Sequence, residues 1–148
     1  MNDFFNESDV ISVYTRSEAF ADGELIDLTT SRFNFRENLN ICKEAGLCPV
    51  AMTRAAYCLA VEDEENGLPP CQDLSGRLWD VLYMLRIACV RRGENCEDLV
   101  YSLFVRNWIL NNGQKTSGTR LERVTLKAMF GIGDSGEAVI TIMLPDED

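Results

Sequence analysis

Apolar residues recur at every third or fourth position from Leu74 to Cys89, then at every second position from Val124 to Phe130 and again from Ala138 to Leu144. This change of period constrains the fold more than any other feature of the chain. Steps of three and four lay Leu74, Leu78, Val81, Leu82, Leu85, Ala88 and Cys89 along one side of a helix. Steps of two put Val124, Leu126, Ala128 and Phe130 on one face of a strand and Thr125 and Lys127 on the other. One chain must therefore bury a helical stripe and strand faces together. The expectation is an α+β fold in which N-terminal helices pack on a C-terminal antiparallel β-meander.

Local signals punctuate that plan. Val10–Tyr14 reads as a short strand. Thr15-Arg16-Ser17-Glu18 has the form of a capping box, opening a short helix to Asp22, and Gly23 suits the left-handed position after it. Glu24–Leu28 reads as a strand. Asn34-Phe35-Arg36-Glu37 repeats the capping pattern and opens a helix that Gly46 ends. Pro49 suits the first position of a third helix, running to about Val61. Asp73 caps the long helix Leu74 to Arg92, which Gly93 stops. Leu99–Leu110, rich in aromatic and β-branched residues, reads as a strand. Asn111–Thr119 reads as a polar loop or wide hairpin. Strands at Glu122–Phe130 and Glu137–Leu144 follow, joined by a turn at Gly131–Gly136.

At 148 residues the chain fits one domain, 1–148, with 1–9 a loose acidic arm and 145–148 an acidic tail. A domain this long buries roughly 68–70% of its unfolded surface and folds without a staple. The apolar runs break at Arg86 and Arg106, far short of the ~18 residues of a membrane span. The start, Met1-Asn2-Asp3-Phe4-Phe5, lacks a basic segment and apolar stretch. The expected location is the cytoplasm, with no membrane contact.

In that reducing compartment the six cysteines are expected as free thiols. Cys58 and Cys89 fall on apolar helix faces, where a thiol acts as a small core residue. There is no Cys-x-x-Cys pair and no histidine, so the spacing of a zinc site is missing. No metal and no cofactor is expected. The lack of histidine also excludes Ser-His-Asp and Cys-His catalysis, which need imidazole to accept a proton. No catalytic residue is assigned.

The net charge is −10, with −8 in residues 1–72 and −2 in residues 73–148. Such a chain should repel nucleic acid, whose binding needs Lys and Arg to displace counterions. Its expected partner is a basic protein or a nucleoprotein complex. Two acidic clusters are candidates for the contact: Glu62, Asp63, Glu64 and Glu65, and the terminal Asp146, Glu147 and Asp148. The first is equally readable as a solvated linker. A polar pocket of Tyr14, Arg16, Asp27, Arg77 and Arg86 is the alternative site. Arg86, beside the apolar stripe, is expected in a structural ion pair. Gly131-Ile132-Gly133-Asp134-Ser135-Gly136 is glycine-rich, but both flanks read as strands, so it is a hairpin turn and not a phosphate loop.

Four stretches resemble one known family: Val13–Ala19 with Asp22–Asp27, Glu44–Gly46 with Pro49–Ala55, Gly76–Arg86, and Val124–Ala128 through Gly136-Glu137 to Val139–Pro145. The family is a group of small uncharacterised proteins, a domain of unknown function found largely in phages, plasmids and other bacterial mobile elements. The region Asn6–Asp9 and the cysteines fall outside the shared pattern. The resemblance implies an accessory gene acting inside a bacterial host, and it carries no catalytic residues. Three readings stay open. The first is a non-enzymatic acidic protein that binds and inhibits a basic host protein, such as a defence nuclease complex, as anti-CRISPR or anti-restriction proteins do by mimicking nucleic acid. The second is a small enzyme acting on a nucleotide through carboxylates and arginines. The third is a structural, oligomerising module.

Overall fold

The computed structural model describes residues 14–28, 49–62, 65–91 and 98–147. Three helices lie among them: α1 (Arg16–Asp22), α2 (Arg54–Ala60) and α3 (Leu74–Arg91). Five strands, β1 (Leu25–Asp27), β2 (Val50–Thr53), β3 (Asp98–Asn111), β4 (Gln114–Ile132) and β5 (Ala138–Met143), form one sheet in the order β1-β2-β5-β4-β3. All neighbours are antiparallel except β2 and β5, which run parallel.

The protein is α+β, but the expected architecture is corrected. The C-terminal strands do not form a separate meander under N-terminal helices. β1 and β2 come from the N-terminal half and complete a mixed sheet, with β5 between β2 and β4. The misread segment is Pro49–Val61, expected as one helix. Its first part, Val50-Ala51-Met52-Thr53, is β2, with Val50 opposite Ile140 and Met52 opposite Ile142. Val50, Ala51 and Met52 are at most 1% exposed, so both faces of this strand are covered. A strand buried on both faces has no alternation to read, only an apolar run. The helix begins after it, where the Thr53 hydroxyl accepts the Ala56 amide at 3.3 Å.

A second correction concerns Asn111–Thr119. The polar segment is mostly strand. Asn111 pairs with Gln114 across a two-residue turn in which Asn112 and Gly113 both have positive φ, 53° and 80°. An Asn-Gly pair with both residues left-handed matches the twist of a tight hairpin. β3 and β4 therefore make one long ribbon, interrupted by a register shift between Trp108 and Leu110.

Other signals act as read. Thr15 accepts the Glu18 amide at 3.0 Å, and Gly23 ends α1 at φ 81°. Asp73 Oδ1 accepts the Gly76 amide at 2.6 Å at the start of α3. Gly133 N donates to Glu137 O at 2.7 Å, closing the β4–β5 turn. The expected strand at Val10–Tyr14 and helix from Asn34 to Gly46 lie outside the described residues, except Tyr14, which is in no strand.

The sheet has two unlike faces. On one, Val50, Met52, Ile140, Ile142, Ala128, Leu126, Val124, Tyr101, Leu103 and Val105 meet Ala56, Tyr57 and Ala60 of α2 and Leu78, Val81, Leu82 and Leu85 of α3. Each Val, Leu, Ile or Met side chain among them contributes about 1.5–3 kcal/mol by leaving water. On the other, Arg16 of α1 donates to the Thr141 hydroxyl at 2.6 Å, reaching the side of β5 opposite Ile140 and Ile142. There Val139 and Met143 are buried, while Val100, Phe104 and Leu121 on β3 and β4 are more than half exposed.

Candidate functional site

The sequence-derived pocket is divided by the fold. Arg16 and Asp27 come together, with Ser17, Phe20, Pro49, Asp134, Ser135, Glu137 and Val139, around an open cleft of about 350 Å³. The cleft lies where α1 meets the β4–β5 turn. The Asp134 carboxylate accepts the Arg16 amide at 3.1 Å and the Ser17 amide at 2.8 Å. It thereby satisfies two of the donors that a helix start leaves without partners. The Arg16 guanidinium turns inward, donating to Thr141 Oγ1 at 2.6 Å and to the Ile140 carbonyl at 3.3 Å. It also lies 5.4 Å from the Phe20 ring centre. The turn is held from inside as well, since Ser135 N donates to Glu137 Oε2 at 2.9 Å.

Tyr14 precedes α1 and is not part of the cleft lining. Its hydroxyl donates to Asp22 Oδ2 at 2.6 Å. That bond first, then desolvation, then the negative charges of Asp22, Glu24 and Glu18 push the phenol up to about 12 from its ordinary value of 10.0. Glu18, Asp22 and Glu24 on and beside α1, with Asp27, Asp134 and Glu137 lining the cleft, make this an acidic end of the molecule.

Arg77 and Arg86 are elsewhere. Arg77 is the buried arginine, 2% exposed. It donates to the Arg106 carbonyl, to Asn107 Oδ1 at 2.7 Å and to Gln72 Oε1 at 3.4 Å, tying α3 to β3. Asn107 passes the network on to Glu122 at 3.4 Å. A hollow of about 440 Å³ beside Arg77 is lined by Cys71, Gln72, Asp73 and Asp80, and burial raises the Asp80 carboxyl. Arg86, expected beside the core, is exposed and lines a shallow depression with Tyr83, Ile87, Val90 and Arg91. Burial on α3 takes in Arg77 with Leu78, Val81, Leu82 and Leu85 and leaves Arg86 outside.

The two acidic clusters also differ from expectation in their surroundings. Glu62 is half-buried and Glu65 exposed, whereas Asp63 and Glu64 lie outside the described residues. Asp146 is exposed, but Glu147 is engaged: its carboxylate accepts from Thr53 Oγ1 and from Leu144 N, both at 2.7 Å. Its carbonyl accepts from Lys127 Nζ at 2.6 Å. Glu147 thus fastens the chain end across β2, β4 and β5. Asp148 lies outside the described residues. Cys58, Cys71 and Cys89 are free thiols, and Cys89 packs against the core. Cys42, Cys48 and Cys96 lie outside the described residues.

No pattern in the chain marks the acidic cleft as a unit. Asp134 is more than a hundred residues from Arg16, and only the pairing of β5 with β2 and β4 brings its turn to α1. The fold and this cleft define a small α+β protein with a mixed sheet and an acidic end. The family model described as "Family of unknown function (DUF6573)" matches residues 1–148, and the chain belongs to that family. No curated protein and no solved structure matches the chain. Among the described residues no helix is long and apolar enough to cross a membrane.

Proposed function

We propose that this chain is a non-catalytic accessory protein of a bacterial mobile element, acting in the host cytoplasm by binding a basic host protein or nucleoprotein complex. The reading extends to inhibition of a defence nuclease, of the anti-CRISPR or anti-restriction kind. The observation that carries it is the field at the α1 end. Six carboxylates lie on, beside or opposite α1, and Arg16, which lines the cleft with three of them, bonds Thr141 and Ile140.

Carboxylates fixed on a helix and a tight turn offer lysines and arginines the charge that phosphates would otherwise supply. This face is proposed beside Glu62–Glu65 and Asp146–Asp148, of which Glu147 is bonded within the chain. The test is charge reversal of Glu18, Asp22 and Glu24 to lysine, read by association kinetics with the captured partner. Slower association with an unchanged unfolding transition supports the reading. Unchanged association, or turnover of a nucleotide by the pure protein, favours the enzyme reading instead.

A further inference from the structure

We propose that the open face of the β3–β4 ribbon is a binding surface for single-stranded nucleic acid. The inference is independent of the acidic-end reading, because it rests on different residues at a different place in the sheet. Residues 98–132 carry five basic side chains (Arg106, Lys115, Arg120, Arg123, Lys127) and two acidic ones (Asp98, Glu122), a net of +3. The rest of the chain carries −13. The ribbon is a basic island in an acidic protein.

Register assigns these residues to faces. Residues directly opposite on paired strands share a face. Val100 is opposite Lys127, Ser102 opposite Thr125, Phe104 opposite Arg123, Arg106 opposite Leu121 and Trp108 opposite Thr119. This face is the one turned away from α2 and α3, since Tyr101, Leu103 and Val105 alternate to the core. Glu122 and Arg120 lie on the same side as the core-facing set and bond each other at 3.4 Å. On the open face the single acidic residue of the ribbon is therefore Asp98, at one end.

The face is also aromatic and apolar where it meets water. Phe104 is 63% exposed, and Val100 and Leu121 are each 58% exposed. A phenylalanine held mid-strand in solvent contributes little to the fold. Beside an arginine it makes a stacking platform, because any base can stack on the ring or on the guanidinium plane. Farther along, Lys115 Nζ lies 5.0 Å from the Trp108 ring centre, keeping a cation at the ribbon's far end. Ser102 and Thr125, whose hydroxyls meet at 3.0 Å, lie between the Phe104–Arg123 and Val100–Lys127 pairs. Val100 to Trp108 spans about 26 Å at ~3.3 Å per residue, room for a short single strand.

A single strand uses these features together: phosphates at Arg123 and Lys115 and a base on Phe104, while Lys127 is held by the Glu147 carbonyl. A duplex hides its base faces in its own stack and leaves Phe104 unused. The chain's net charge does not forbid the contact. Charges more than about 8 Å apart are largely screened at physiological ionic strength, so the ribbon presents its own local field.

The experiment is fluorescence anisotropy of a labelled oligothymidylate, and separately an oligouridylate, of about twelve nucleotides titrated with the full chain, within the site sizes of sheet-based binders. The expected result is saturable binding that weakens with salt and is much weaker for the matching duplex. Phe104→Ala should lower the affinity about tenfold, the scale of one lost stacked base. Arg123→Gln should lower it and flatten the salt dependence by about 0.7 in log–log slope, the contribution of one phosphate contact to a single strand. Both side chains are exposed, and a thermal melt of each variant confirms that the fold is kept. Charge reversal at Glu18, Asp22 and Glu24 should leave strand binding in place. The proposal is overturned if neither oligonucleotide binds at low salt, if the duplex or polyglutamate binds as well as the strand, or if folded Phe104→Ala and Arg123→Gln bind like the parent.

Discussion

Two residues state how far single side chains could be read. Tyr14 was legible as part of a polar group near Arg16, and the structure sets its hydroxyl on Asp22, outside the cleft lining. Its titration is a direct check. A phenol raised from 10.0 to about 12 stabilises the fold fully below pH 10, and that contribution is lost as pH rises toward 12. Ultraviolet titration should show Tyr14 ionising late, assigned by comparison with Tyr14→Phe because burial also raises Tyr101, and Asp22→Asn should bring Tyr14 back toward the ordinary value. A normal Tyr14 titration in the parent protein would contradict the Tyr14–Asp22 bond. Arg77 was legible only as a charge near the long helix. Its burial depends on carbonyl and amide acceptors of β3, almost thirty residues away, which no helical pattern reveals. Arg77→Ala strands the Asn107 amide oxygen and a backbone carbonyl. It should cost about 3 kcal/mol in urea unfolding, as expected for hydrogen bonds to a buried charge.

At the scale of elements, α3 and the even-numbered stripe Val124–Phe130 were readable, since each buries one face and exposes the other. β2 was not, because Val50, Ala51 and Met52 are covered on both sides and show neither period. The ribbon turn was legible as a loop or wide hairpin but not as a tight one, for a different reason. The polar run around Asn112-Gly113 masked a dipeptide whose positive φ pair specifies a tight hairpin. Gly113→Ala tests that turn. Nothing lies within 4 Å of an added Cβ, so the cost is backbone strain at φ +80° and should be about 1 kcal/mol. A loss near zero would mean that the turn does not hold the ribbon. β5 carries the larger prediction. It lies between β2 and β4, with Ile140 and Ile142 at most 2% exposed. A chain truncated after Phe130 should show no cooperative thermal transition, and a cooperative one would contradict the sheet order.

For the whole molecule, net charge was plain from composition, but its division was not. The sheet brings Asp134 and Glu137 to the acidic α1 end and leaves the +3 ribbon at the opposite edge, beyond β5. Sequence halves blur this, because the β4–β5 turn and the ribbon are neighbours in the chain. The central claim is that the acidic end meets a basic partner. The most direct measurement is quantitative affinity capture from bacterial lysate with two baits, the parent chain and the variant carrying Glu18→Lys, Asp22→Lys and Glu24→Lys, each at low and high salt. The account predicts a basic partner that the parent retains at low salt, releases as salt rises, and that the variant fails to hold while melting like the parent. Equal capture by both baits, or a partner indifferent to salt, would contradict it.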